Sequence, residues 1–460
     1  MKTLVDAADA LTHGLAAIRT EFQVPGGFPS EVLRAANIAA ARIPSVHADR
    51  TDLPFVTLDP ASSTDLDQAF CIEASGADLL LRYAIADVAW FVDDGDPIDA
   101  EAWRRGETLY LPDGKAGVYP PVLSEGAASL LPSGPRPAVI FLVRVRPGGA
   151  VRLEAVERAI IRSRAKLAYD SVQPGDLPTH FAELARRIHA AEAVRGGARV
   201  DPPEQEITRG ADGSLKLAFR SRLASEADNS ALSLATNMAV AECLQAHGTG
   251  LFRIMAAPDA RAVARLRLAA RAIGLEWSED QPLEAFERTL GPADAREAAF
   301  MLAVRRAGEG ASYAPFQAGV VPWHAAVAAT YAHATAPLRR LADRYVVQAA
   351  LAVANGQVVP DAVTRAFETL PGVMARADAR AGRIERAAID LAESVLLAGL
   401  DGSLFAASVI EADARGARVQ LRDLPIVARI AVPDLQPGAR IDLTLVAADP
   451  DRRTTNFTIA

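Results

Sequence analysis

Cysteine occurs only twice in this chain, at Cys71 and Cys243. With no CxxC or Cys/His spacing around them, a structural zinc site is disfavoured. With no export signal either, the expectation is buried thiols rather than a disulfide. Lysine is almost as scarce: Lys2, Lys115, Lys166 and Lys216 are the only ones among 49 basic residues. In so alanine-rich a chain this bias towards arginine reads as compositional and is no sign of phosphate binding by itself. The net charge of −8 is unusual for a nucleic-acid binder and argues against a broad basic surface. Half of the residues are hydrophobic, yet no uninterrupted apolar run is long enough to cross a bilayer. Met1-Lys2 leads straight to Asp6 and Asp9 rather than into an apolar signal segment. A cytoplasmic protein without membrane association is therefore expected. There is no G-x-x-x-x-G-K-[ST] loop and no sustained βαβ alternation, which disfavours P-loop and Rossmann folds. Internal repeats and long low-complexity linkers are also missing.

At 460 residues the chain is long enough for two or three domains. Residues 1–48 carry two amphipathic helical patterns: Leu4, Ala8, Leu11, Leu15 and Ile18 in the first, and Ser30 through Ala41 in the second, with Pro25-Gly26-Gly27 between them. They fit either a helix-turn-helix-like module or a helical cover on the next domain. A helix-turn-helix DNA regulator is disfavoured by the acidic charge and the lack of a basic recognition helix. From about 49 to 165 the pattern is strand-like, with Leu79–Ile85 and Ala138–Val145 as the clearest strands. Residues 179–197, 231–246, 258–273, 284–307, 339–355 and 361–399 read as helices. Sheet first and helix later is an α+β arrangement. After Gly402 four short strands, around 405–410, 417–421, 426–432 and 441–446, fit a small and incomplete barrel. The expected division is 1–48, 49–400 and 401–460.

The richest stretch is Thr57-Leu58-Asp59-Pro60-Ala61-Ser62-Ser63-Thr64-Asp65-Leu66-Asp67-Gln68-Ala69-Phe70. Apolar residues flank it, so it reads as strand, tight loop, strand. Asp-rich loops with Ser and Pro are ordinarily solvated turns or caps. Three carboxylates within nine positions repel one another, however, and a hard cation such as Mg²⁺ or Mn²⁺ lets them sit together. Asp65 and Asp67, two apart, face the same side of an extended segment. Asp93-Asp94-Gly95-Asp96 lacks the spaced ligands of a calcium loop and reads as a surface turn.

This stretch resembles the signature loop of the ribonuclease II (RNB) family of exoribonucleases. Asp59, Asp65 and Asp67 match three of its four aspartates, and Gln68 stands at the fourth. The resemblance continues in order through Ile85-Ala86-Asp87-Val88, Arg105-Gly106-Glu107-Thr108-Leu109-Tyr110-Leu111-Pro112, Pro121-Val122-Leu123-Ser124, Ser129-Leu130, Arg164-Ala165-Lys166-Leu167-Ala168-Tyr169 and Tyr331-Ala332-His333-Ala334-Thr335-Ala336-Pro337-Leu338-Arg339-Arg340-Leu341-Ala342-Asp343. It implies an RNB catalytic domain and a terminal OB-like barrel. It also implies a monomeric, processive 3′-to-5′ exoribonuclease that hydrolyses single-stranded RNA to nucleoside 5′-monophosphates by a two-metal mechanism, using Mg²⁺ or Mn²⁺. The alternative on the same scaffold is a degenerate RNA-binding protein.

The resemblance also distributes roles. Asp59, Asp65, Asp67 and Gln68 would hold metal, Gln68 more weakly because its carbonyl is neutral. Asp67 is the aspartate implied to be essential. Arg339 would grip the phosphate, against the plain alternative of a helical pair with Asp343 four residues on. Tyr110 would stack on the 3′-terminal bases and Tyr169 would take part in RNA selection, the alternative for both being core packing. His333 fits a channel position or a core position. Asp87 fits a role behind the metal ligands or a structural one. The family's ribose-reading glutamate falls near Ser230, and its base-clamping phenylalanine has no match around Ala198–Pro203, so preference for RNA over DNA stays open.

Overall fold

The computed structural model describes residues 7–197, 204–209, 215–220, 222–291, 294–308, 310–413, 415–433 and 435–460. Its centre is a five-stranded sheet ordered Ala48–Asp49, Val151–Ile161, Arg136–Val145, Asp78–Ala86 and Gln68–Ser75. All neighbours are antiparallel except the first pair. The strand Asp78–Ala86 lies between two others and is apolar on both faces: Leu81, Tyr83, Ala84 and Ile85 are fully buried. The helix Ala224–Ala246 contributes Ala231, Leu232, Ala235 and Val240 to the same core, and Leu341–Ala354 contributes Leu341, Tyr345, Val346 and Ala350. The mixed helix-and-sheet class expected from the sequence is what the structure has.

The two N-terminal helices bury their faces on different partners. Ala7–Glu21 lays Leu11, Leu15 and Ile18 against Ile384 and Leu391 of the long helix Asp361–Leu397. Ser30–Ala40 sends Val32, Ala36 and Ala39 into the main core. Residues 284–307 are not one helix but two, Leu283–Glu287 and Ala295–Ala307, and Asp294 caps the second by accepting from the Arg296 amide. Asp96 likewise is a cap, accepting from the Asp99 amide at 2.7 Å. Cys71 is buried and Cys243 half-buried, and both are free thiols. Among the described residues no helix is long and apolar enough to cross a membrane.

The C-terminal barrel has five strands, one more than the apolar pattern shows: Leu404–Asp413, Gly416–Leu421, Val427–Ile430, Arg440–Asp449 and Thr454–Ile459. It is nearly closed. The added strand, Thr-Thr-Asn-Phe-Thr-Ile, is largely polar and pairs antiparallel with Arg440–Asp449. Val409, Val419, Leu421, Ile430, Leu443 and Leu445 fill the interior.

Candidate active site

The acidic loop leaves the strand Thr57–Asp59 and re-enters the sheet at Gln68. Its shape is imposed by the other motif blocks. Thr57–Asp59 pairs parallel with Lys166–Ala168, Asp59 opposite Ala168, and the Tyr169 amide donates to the Asp59 carbonyl at 3.3 Å. The Ser129 hydroxyl donates to the Thr64 carbonyl at 2.7 Å and accepts from the Leu66 amide at 2.9 Å. The Leu130 amide donates to the Leu66 carbonyl, and the Ala86 amide to that of Asp67. A loop held at this many backbone points is pre-organised.

The second half of the site arrives from 271 residues away. The Leu338 amide donates to Asp67 Oδ1 at 2.7 Å, and Arg339 Nε lies 3.6 Å from Asp67 Oδ2. Residues 338–341 are fixed in turn by the Arg-Gly block. The Thr108 amide donates to the Arg339 carbonyl, the Leu341 amide donates to the Gly106 carbonyl, and Glu107 and Arg340 form a β-bridge. Gly106 is required there: its φ is +76°, and a Cβ would meet that of Ala377 at 2.9 Å.

The helical alternative for Arg339 does not occur. Asp343 is paired by Arg340 instead, at 2.8 and 2.7 Å, and also accepts from the Ala336 amide. Burial opposes the charge on Asp343, but Arg340 more than offsets it and leaves the carboxyl below its ordinary range. Arg339 is thus left with its guanidinium half-exposed towards the loop.

The three aspartates differ in environment. Asp67 is 3% exposed, and burial pushes its carboxyl up to about 7 against the pull of Arg339 and the Leu338 amide. Burial does the same to Asp59, up to about 7, again against Arg339. Asp65 is ion-paired with Lys115 Nζ at 2.8 Å, a residue that sequence reasoning passed over. Gln68 accepts a hydrogen bond from the Tyr83 hydroxyl. Among the described residues no group of three or more His, Cys, Asp or Glu side chains is placed to hold a metal ion.

Tyr110 is 55% exposed and lies beside Arg339. Withdrawal of its hydroxyl end from water, followed by the Asp65 charge, pushes the phenol up to about 12. The Tyr169 hydroxyl accepts from Asn229 Nδ2 at 2.8 Å, and the same amide also donates to the Leu58 carbonyl. Tyr169 and Asn229 line a polar cavity of about 600 Å³ with Gln68, Arg339, Glu226 and Ser230. Glu226, one helical turn before Ser230, is a carboxylate the motif comparison missed. Residues 198–203, around which the family's clamping phenylalanine has no match, lie outside the described residues.

His333 and Asp87 face elsewhere. His333 Nδ1 shares a hydrogen bond with the Tyr313 hydroxyl at 2.7 Å, and its ring meets Tyr313 and Tyr331 edge-on. Burial holds its imidazole well below the usual range, so it is neutral. Asp87 is buried between His47 at 3.1 Å and Arg158 at 2.8 Å, a structural assignment.

Residues 47–354 match the RNB domain family model, and residues 403–460 match that of the RNase II-type exonuclease C-terminal S1 domain. The chain belongs to the RNB family. It is 28% identical to Ribonuclease R of Escherichia coli over 318 residues, 64% of this chain and 39% of that protein. Exoribonuclease 2 of Cronobacter sakazakii is 28% identical over 446 residues, 92% of this chain and 67% of that one. The chain thus spans well under two thirds of the E. coli relative. In fold it is similar to Mycoplasma genitalium RNase R in complex with ribose-methylated single-stranded RNA. There the TM-score is 0.87 at 20% identity, covering 98% of this chain and 78% of the other. At that identity the likeness is one of fold.

Proposed function

We propose that this RNB-family chain is a processive 3′-to-5′ exoribonuclease, acting as a cytoplasmic monomer that hydrolyses single-stranded RNA to nucleoside 5′-monophosphates with Mg²⁺ or Mn²⁺. The observation that carries the reading is the meeting of Asp67 and Arg339: a buried acid and a half-exposed guanidinium, 272 residues apart in sequence, share one corner, and Arg339 also lines a polar cavity.

The donor chemistry fits a hard divalent cation. Asp59 and Asp67 are oxygen donors whose burial Arg339 and the Leu338 amide offset only in part, and a cation relieves the remaining cost. Such an ion, when bound, acidifies water and polarises the phosphate. The fit to a second ion is poorer, since the Asp65 carboxylate and the Gln68 carbonyl oxygen are already engaged.

The chain's own groups do the rest. The guanidinium of Arg339 presents paired donors to the non-bridging oxygens of the last phosphodiester, where charge grows during attack. The ring of Tyr110 offers a stacking face that accepts any base, which suits stepwise removal of nucleotides. Water adds its oxygen to phosphorus, the bond to the 3′ oxygen breaks, and that oxygen ends protonated on the shortened chain. The Leu338 amide and Arg339 hold the Asp67 carboxylate in place throughout.

The test is a time course on 5′-labelled single-stranded RNA with Mg²⁺, beside an EDTA control and a substrate blocked at its 3′ end. Metal-dependent shortening to a small 5′ fragment, with mononucleotides as the other product and the blocked RNA spared, is expected. RNA that stays bound but intact with both Mg²⁺ and Mn²⁺ would overturn the reading.

A further inference from the structure

Lys115 sits at the acidic corner in a way that neither the motif blocks nor the family assignment explains. It belongs to the hairpin Leu109–Leu111 and Gly114–Ala116, directly opposite Tyr110. Opposed residues of an antiparallel pair share a face, so one hairpin delivers a phenol and an ammonium together. Lys115 Nζ lies 2.8 Å from Asp65 and 3.1 Å from Glu125. Glu125 also accepts from the Thr64 hydroxyl at 2.9 Å, so the ammonium is held between the acidic loop and the segment Leu123–Ala127. In a chain whose basic residues are nearly all arginine, this one is the compact point charge that most resembles a metal ion, not a planar fork.

Charge at the corner leads the same way. Asp59, Asp65, Asp67 and Glu125 face Lys115 and Arg339, and Lys166, hydrogen-bonded to the Ala61 carbonyl of the same loop, also acts on Asp59. One negative charge is left over, which one divalent ion already exceeds and two would exceed by three charges. Gln68 brings no charge, and its carbonyl oxygen is taken by the Tyr83 hydroxyl.

We propose that Lys115 replaces the second cation: held by Asp65, its ammonium neutralises charge on the scissile phosphate, and the enzyme works with a single divalent ion on Asp59 and Asp67. This rests on the exonuclease reading above. Lys115 stays protonated throughout. Water's oxygen bonds to phosphorus, the bond to the 3′ oxygen breaks, and the proton lost by water ends on that oxygen.

The test counts ions as well as cuts. Full-length protein stripped with EDTA is titrated with Mn²⁺ and followed by electron paramagnetic resonance, beside cleavage of labelled RNA. Wild type is expected to bind one Mn²⁺, lost in Asp67→Asn. Lys115→Met is expected to slow cleavage about a hundredfold, and Lys115→Arg to recover about tenfold of that by restoring charge. The double variant Lys115→Met/Gln68→Asp is expected to bind two Mn²⁺ and to regain cleavage, which a purely structural lysine would not allow. Wild-type protein that cuts RNA with two bound Mn²⁺ would overturn the role of Lys115 and leave the exonuclease reading standing. So would Lys115→Met cutting at the wild-type rate. One bound Mn²⁺ with no cleavage of any RNA would overturn both.

Discussion

The acidic corner and the terminal barrel are built on different rules. At the corner, polar groups from residues 59–68, 110, 115 and 338–339 meet, and several are partnered only by one another. In the barrel, charges pair across the strand surface, as Arg429 does with Asp413 at 2.7 Å, and both members stay solvated. The barrel's only aromatics, Phe405 and Phe457, meet edge-on at 6.1 Å and pack on its apolar interior. Tyr110, by contrast, leaves more than half its surface open beside Arg339. The difference teaches where chemistry and base stacking belong. Solvated pairs are worth little to each other, whereas charges held in a shielded corner interact strongly and have substrate-sized space beside them.

Arg339→Ala gives the sharpest break in the comparison. Losing the guanidinium at the scissile phosphate should lower kcat about 10²- to 10³-fold, read by single-turnover cleavage, with little change in Tm because Arg339 lies outside the core. The next effect lies at the junction of the two regions. Glu393 is 4% exposed and accepts from Gln205 Nε2 at 2.6 Å and the Val427 amide at 2.8 Å, tying the long helix to the barrel. Its burial pushes the carboxyl up to about 7. The folded state then keeps a proton that the unfolded state releases near its ordinary value. Stability is therefore full below about pH 4.5 and falls as pH rises to about 7, by on the order of 3 kcal/mol. Glu393→Gln should flatten that slope in denaturant melts at several pH values.

Tyr110→Ala should weaken RNA binding by about 1–3 kcal/mol, seen as a raised KM with Arg339 still in place. Phe457→Leu should cost about 1 kcal/mol of stability and leave KM unchanged. A matching rise in KM there would place base stacking in the barrel and erase the distinction between the regions.

Much of the corner was legible in sequence because each motif block has a mechanical task. Ser129-Leu130, Arg105-Gly106 and Lys166 through Tyr169 hold the loop or the Arg339 segment through backbone bonds, so their residue types are constrained. What stayed illegible depends on register. Arg339 reads as a partner of Asp343 only if both lie in one helix, but the helix begins at Leu341 and Arg340 has an extended backbone, φ −133°, so the spacing rule does not apply. Lys115 is an unmarked lysine until the hairpin sets it opposite Tyr110. Glu226 is four residues from where the motif comparison looked, a displacement that one helical turn makes harmless. The last barrel strand lacks the apolar alternation that marks strands, since its partner strand rather than its own pattern secures it.

The most direct test of the central claim, that hydrolysis is performed at the Asp67–Arg339 corner, is to measure RNA binding and RNA cleavage separately in Asp67→Asn. Fluorescence anisotropy on a labelled single strand should give a Kd within about threefold of wild type, while single-turnover cleavage falls at least about 10³-fold. Cleavage that persists in Asp67→Asn with RNA binding intact would contradict it.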